Sequence, residues 1–280
     1  MNRILSIAIV ASFVLVAHAR AEQPARFKFS KGQELTYNVV QTTKASETLI
    51  DEKTNKPVET ENLTKHTVVR RWKAVDVDQA GVATLQMTIL SLKWERKLPD
   101  GKMDVFDSTK PDKLNEEEMA KLIGPVLAEI RVDGTGKVVE VKQVRQGAPN
   151  RFGIELPFKI MLPESGPKEG QTWERPFTIK LDPPHGTGES YEAVQKYTAK
   201  APVNSFATIG ISTSIKEMPA QASDQIPLLP MLLEGDVYFQ ESTGKYYAAR
   251  LKMKKELVNH AGDGSKYVFE TVYLEDLKTE

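Results

Sequence analysis

Three histidines follow residue 21 in this 280-residue chain, His66, His185 and His260, and none has a partner placed to complete a metal motif. A zinc-protease helix needs two histidines four apart on one face with a glutamate between them, and no H-E-x-x-H occurs. Each histidine sits among charged or turn residues, where a surface or hydrogen-bonded role is the simplest reading. The chain has no cysteine, which excludes disulfides, thiolate nucleophiles and cysteine-bound zinc.

A serine nucleophile fares little better. G-x-S-x-G is absent, and the S-x-x-K spacing at Ser242-Thr243-Gly244-Lys245 falls on a hairpin turn, not at the head of a helix. Asp133-Gly134-Thr135-Gly136-Lys137 and Glu241 to Lys245 have the flavour of phosphate loops. Neither fits G-x-x-x-x-G-K-[ST] or opens a helix, and a hairpin turn explains both. Asp76, Asp78, Asp133 and Asp263 are oxygen ligands in type, but calcium needs about six to eight oxygens, and no loop here is that dense. Glu116, Glu117 and Glu118 read as the acidic first turn of a helix, facing the positive end of its dipole.

The elements that would have to position any site are strands. Ala83, Leu85, Met87 and Ile89 alternate with Thr84, Gln86 and Thr88, the two-residue period of a strand with one buried face. Together with Thr67 to Val77 and a turn at Asp78-Gln79-Ala80-Gly81, this strand makes a hairpin that ends near Trp94. The pattern returns over Ser190 to Glu217, where Tyr197 and Ala199 stand for Trp72 and Ala74, and Ile209 and Ile211 take the inner face. Lys31-Gly32-Gln33 opens one copy and Glu169-Gly170-Gln171 the other. Pro125 to Glu129 matches Pro230 to Glu234, and Gly136-Lys137 matches Gly244-Lys245.

These markers, in the same order, imply two related β-units at 31–145 and 169–278, joined by a Pro- and Gly-rich connector at 146–168. The expected fold is mainly β: one large antiparallel curved sheet or half-barrel built from two related halves, with one short helix. That helix is expected over 115–123, with Met119, Leu122 and Ile123 buried. Phe27 to Phe29 is expected to form a first small strand.

Arg3, the apolar run Ile4 to Val16 and the small-x-small triplet Ala19-Arg20-Ala21 have the layout of a cleaved export signal, residues 1–21. The mature chain, 22–280, is then expected to be a single β-rich domain, periplasmic or secreted, with no membrane span after cleavage. Loss of Arg3 and Arg20 from 38 Lys+Arg leaves 36 against 38 Asp+Glu, a net charge of −2. With no basic stripe, nucleic acid is not an expected partner, since binding it rests on neutralising phosphates. An exported chain without cysteine suits a bacterial extracytoplasmic space.

What the strands do offer is an apolar inner surface. Leu85, Met87, Ile89, Ile209, Ile211, Tyr247 and Leu251 are the candidate lining of a concave face that could hold an apolar small molecule or lipid. The competing expectation is a packed core, with helix 115–123 and the connector's Phe152, Ile154, Leu156, Phe158, Ile160 and Leu162 filling the concavity. No cofactor and no metal is implied. The expected function is a non-enzymatic binding module for such a ligand. The alternative is a structural or interaction protein that engages another protein of the cell envelope. A hydrolase would need reactive side chains gathered from distant strands.

Phe29-Ser30-Lys31-Gly32 leading to Tyr37, the strand Ala83-Thr84-Leu85, Asp133 to Lys137, and Leu162-Pro163 followed by Gly170-Gln171-Thr172-Trp173 together resemble a family of bacterial secreted proteins known only as a domain of unknown function. The resemblance covers nearly the whole mature chain and implies no activity and no site residues. The pattern is more distantly similar to periplasmic lipoprotein carriers, whose curved sheet holds acyl chains around a helix. That likeness concerns the fold alone.

Overall fold

The computed structural model describes residues 24–98, 101–110, 116–145, 151–183 and 186–279. Twelve strands form one antiparallel sheet: β1 (Glu34–Ile50), β2 (Pro57–Val77), β3 (Ala83–Lys97), β4 (Met103–Asp107), β5 (Val126–Val132), β6 (Val138–Val144), β7 (Thr172–Leu181), β8 (Glu189–Val203), β9 (Phe206–Ile215), β10 (Glu234–Gln240), β11 (Lys245–Val258) and β12 (Lys266–Leu277). Their spatial order is β6-β5-β3-β2-β1-β12-β11-β10-β9-β8-β7, with β4 beside the far end of β3. Two meanders are thus joined by β1 and β12, which pair from Tyr37↔Leu277 to Thr48↔Lys266. The sheet curves but does not close. Its free edges are β6 and β7, and Pro176 lies in β7, in keeping with an edge strand.

Alternation explains which side is filled. Leu35, Tyr37 and Val39 on β1 and Trp72 and Ala74 on β2 are buried while their neighbours are more accessible; on β3, Leu85 and Met87 are buried together with Thr84 and Thr88. The hairpin registers of the two meanders run in parallel: Trp72↔Met87 and Ala74↔Leu85 in one, Tyr197↔Ile211 and Ala199↔Ile209 in the other. Backbone bonds at the entrances do too. Gly32 N–H donates to Ala74 O and Gly170 N–H to Ala199 O, and the Gln33 and Gln171 side chains each accept from the residue three before them. Further along, Leu85 faces Ile130 and Ile209 faces Val237, so Ala128 corresponds in register to Gly235. Pairing Pro125–Glu129 with Pro230–Glu234 is therefore displaced by two residues, because a 3₁₀ turn at Ile226–Met231 replaces the entry to the strand.

Among the described residues there are three helices where one was expected: α1 (Glu116–Leu122), α2 (Arg151–Ile154) and α3 (Ala222–Gln225). α1 does not fill the concavity. Met119, Leu122 and Ile123 are only half-buried at the rim, where Gly124 N–H bonds Ile89 O; Asn115 lies outside the described residues. The expected Phe27–Phe29 strand is not formed either. Phe27 N–H donates to Gly134 O and Lys28 N–H to Gly244 O, so this segment ties two turns together, one from each meander. The Gly-Lys turns need glycine for that reason. A Cβ on Gly136, at φ +89°, would lie 2.6 Å from the Phe27 ring and 2.9 Å from Ile160 O.

The interior is filled by the connector. Phe152, Leu156, Phe158, Ile160 and Leu162 are all buried. The Phe158 ring stands 5.3–6.2 Å from those of Phe27, Phe29, Tyr37, Trp72 and Tyr246. Burying one such side chain contributes roughly 1.5–3 kcal/mol. A second filler is the 3₁₀ turn, which supplies the fully buried Leu228 and Leu229.

Candidate functional site

The structure places Leu85, Met87, Ile209, Ile211 and Leu251 in the main core cluster with Phe158, Ile160 and Leu162, and Ile89 packs against it. All six lie on the concave face, and their partners there are protein side chains. Tyr247 does not join them. A bulge in β11 leaves Tyr238 paired with Ala248 and Phe239 with Tyr246, and skips Tyr247. Tyr246 therefore takes the inner position, while Tyr247 stacks on Phe206 at 4.3 Å.

Beside the connector lie a hollow of about 470 Å³ between β6 and β7, lined by Val138, Val139, Val141, Phe152, Gly153 and Phe177, and a smaller space of about 40 Å³, lined by Ile154, Leu156, Phe177, Met231, Leu233 and Leu251 with the polar Glu155, Lys159, Gln195 and Thr213. The smaller space has room for water, whereas small-molecule sites run to roughly 300–1,000 Å³. Larger hollows of about 450 and 510 Å³ lie where β1, β2 and β12 run on past the core. They are lined chiefly by polar and charged residues, among them Glu47, Glu61 and Lys97.

Next to the small cavity is a buried polar network that the sequence reading missed. Glu275, on β12, is completely buried and accepts from four donors. Arg70 Nε lies 3.0 Å from Oε1, with Nη2 on the same oxygen, while Tyr246 Oη and Tyr273 Oη donate to Oε2 at 2.8 and 2.7 Å. Arg70 also reaches the connector, donating to Pro157 O at 3.3 Å. Burial alone would lower the Arg70 pKa, and the adjoining carboxylate outweighs it, so the guanidinium is held still more firmly charged. Burial pushes Tyr37, Tyr246 and Tyr273 well above the usual phenol range, and the charge of Glu275 adds to the effect. A carboxylate with both oxygens doubly occupied has no free lone pair for a substrate proton. Its role is to hold the fold.

The same network fastens the connector. Lys159 sits in the left-handed region at φ +60°, its ammonium 4.6 Å over the Tyr273 ring and 3.4 Å from Glu155. That ammonium holds the half-exposed Glu155 carboxyl below its ordinary value. Trp173 Nε1 donates to Met161 O at 2.6 Å, and Leu162 N–H to Thr135 O. Arg175, on β7, donates to Gly153 O at 2.6 Å and Ile154 O at 2.8 Å, as well as to Gln195 Oε1. Gln195 Oε1 also accepts from Tyr197, whose hydroxyl burial pushes up to about 12 against the opposing charge of Arg175.

The residues singled out for chemistry stay apart. His66 is exposed on β2, and His185 lies outside the described residues. His260 is buried, its Nε2 2.8 Å from Glu47 Oε1 and its Nδ1 without a partner. Asp78 and Asp133 spend one carboxylate oxygen each on the backbone N–H groups of their own turns. Ser242 to Gly244 is a turn, and Lys245 opens β11. Among the described residues no three His, Asp or Glu side chains form a metal-binding group, and no helix is long and apolar enough to cross a membrane.

No family model matches the chain, so the resemblance to the secreted family of unknown function finds no support. No curated protein matches it either. Among solved structures, a description of lipid–protein interactions in lipovitellin is similar at 12% identity and a TM-score of 0.42, over 90% of this chain and 26% of that one. DynF from the dynemicin biosynthesis pathway of Micromonospora chersina is similar at 9% identity and a TM-score of 0.19, over 98% and 94%. This chain thus spans about a quarter of the lipovitellin chain. At such scores neither similarity speaks to what this chain binds.

Proposed function

We propose that this chain is a non-catalytic, extracytoplasmic binding module for an apolar, lipid-like ligand, which enters the concavity in place of the connector. The observation that carries the reading is the nature of the filler. A barrel of about eight strands is filled by its own inward side chains, whereas larger ones leave room to spare. Here the surplus volume of a twelve-stranded sheet is taken up by a separate segment, 151–162. That segment lies at the unclosed seam, with α2 against both β6 and β7, and is pinned largely by side chains donating to its carbonyls. A left-handed, non-glycine Lys159 at its centre costs on the order of 1 kcal/mol, strain that release would remove. Export rests on the leader pattern of residues 1–21, which lie outside the described residues. The saturation of Glu275 favours a binding over a catalytic role.

Titration with 1-decanol and decanoate, read by thermal shift and by amide exchange of 151–162, tests this. Binding should raise the melting temperature and speed exchange in the connector. If neither probe shifts the melt of the protein or of a Phe158→Ala variant, the reading fails.

A second reading, an interaction protein of the envelope, draws on the arm formed by β1 and β2. Leu49 and Val58 face each other across its tip and are both exposed. Loss of co-purifying envelope proteins on Leu49→Lys/Val58→Lys substitution would favour it.

A further inference from the structure

Two charged side chains are buried in the described interior, Glu275 and Arg175, and only the first has an opposite charge beside it. Arg175 is 8% exposed and makes no ion pair among the described residues. Its acceptors are two connector carbonyls, Gly153 O and Ile154 O, and the amide oxygen of Gln195; its guanidinium also lies 4.4 Å over the Phe177 ring. Buried charges are ordinarily paired, because desolvation is repaid only by an opposite charge or a full set of hydrogen bonds. Carbonyls at the end of a four-residue helix supply only partial charge.

If the connector leaves, as the preceding reading requires, Arg175 keeps only Gln195. The position is telling. Gln195 and Phe177, which both touch Arg175, line the small residual cavity together with Lys159. A guanidinium fork there matches a carboxylate or phosphate through two parallel hydrogen bonds. We infer that Arg175 receives the oxyanion head-group of the ligand, so that the module selects acidic amphiphiles over neutral ones of equal chain length. The apolar chain replaces Phe158 and its neighbours, and the acid replaces the carbonyls of Gly153 and Ile154. This rests on the proposed apolar-ligand function and goes further by naming the head-group.

The test compares decanoate, decyl phosphate and 1-decanol on the full mature chain by isothermal calorimetry at pH 8, below the critical micelle concentrations. At least one acid should bind roughly tenfold or more tightly than decanol, the gain expected of a charge-assisted pair. Decanoate and decyl phosphate separate a carboxylate from a phosphate preference. Arg175→Gln should bring the acids to the level of decanol, and Arg175→Lys should keep part of the preference. Equal binding of all three by the unaltered protein overturns the head-group inference and leaves the apolar reading standing. Binding of none overturns both. A folded Arg175→Gln that still prefers acid overturns the assignment to Arg175. Should that variant not fold, the comparison on the unaltered protein, together with Arg175→Lys, decides.

Discussion

Replacing Glu275 by glutamine removes the buried negative charge of the interior while keeping its shape, and leaves Arg70 facing an amide. Arg70 donates to Glu275 through two nitrogens, and two tyrosine hydroxyls complete the set. Breaking a buried pair from one side costs about 3–5 kcal/mol, chiefly because the remaining charge is stranded. Arg70 is 17% exposed, so water recovers part of its solvation, which places the loss near the lower bound, about 3 kcal/mol. For a domain of this size each kcal/mol moves the melting temperature by roughly 2–4 °C, so the variant should melt about 6–12 °C lower. Circular dichroism melts and urea midpoints at constant m-value measure it. The control is a double-mutant cycle with Arg70→Met. Removing both charges should restore much of the loss, with a coupling of about 1.5 kcal/mol or more. A Glu275→Gln protein melting within 2 °C of the parent, or a double variant whose loss is the sum of the singles, would refute the idea that the charges hold each other in place.

Three further outcomes follow from the same interior. Buried Tyr37, Tyr246 and Tyr273 have raised pKa values, so the unfolded chain loses those protons first as pH climbs past about 10. Stability is therefore intact below that point and falls above it, by up to about 4 kcal/mol per pH unit for three such groups. The share of tyrosinate absorbance at 295 nm that belongs to these three of the eight tyrosines should appear only with unfolding; ionisation of all eight in the folded protein would contradict this. Phe158→Ala should cost about 3–5 kcal/mol and enlarge the cavity, so that decanol binds the variant more tightly than the parent. Gly136→Ala meets the Phe27 ring and Ile160 O as well as an unfavourable φ, whereas Gly32→Ala, at φ +86°, meets nothing within 4 Å. The first should lose more than about 2 kcal/mol and the second about 1 kcal/mol, measured by urea denaturation.

Much of the sheet could be read from residue order. The alternation from Ala83 to Ile89 and from Phe206 to Ile215 marks strands because one face of each is buried, and turn residues such as Asp78 to Gly81 bond their own backbone. Tyr247 was misplaced because a bulge shifts parity by one, and no local feature of residues 245–251 announces it. The buried charges did leave a trace. Arg70 shares parity with Trp72, Glu275 with Tyr273, and Arg175 with Trp173 and Phe177, so each is a charged residue at an inward position.

Their partners left no trace. Arg70 and Glu275 are 205 residues apart, and they meet only because β1 pairs with β12 while β2 lies on its other side. Strand identity is a short-range matter of which side chains avoid water. The occupant of the concavity is decided by the curvature of the whole sheet, since only the assembled strands embrace more space than their own side chains fill, and residues 151–162 take the remainder.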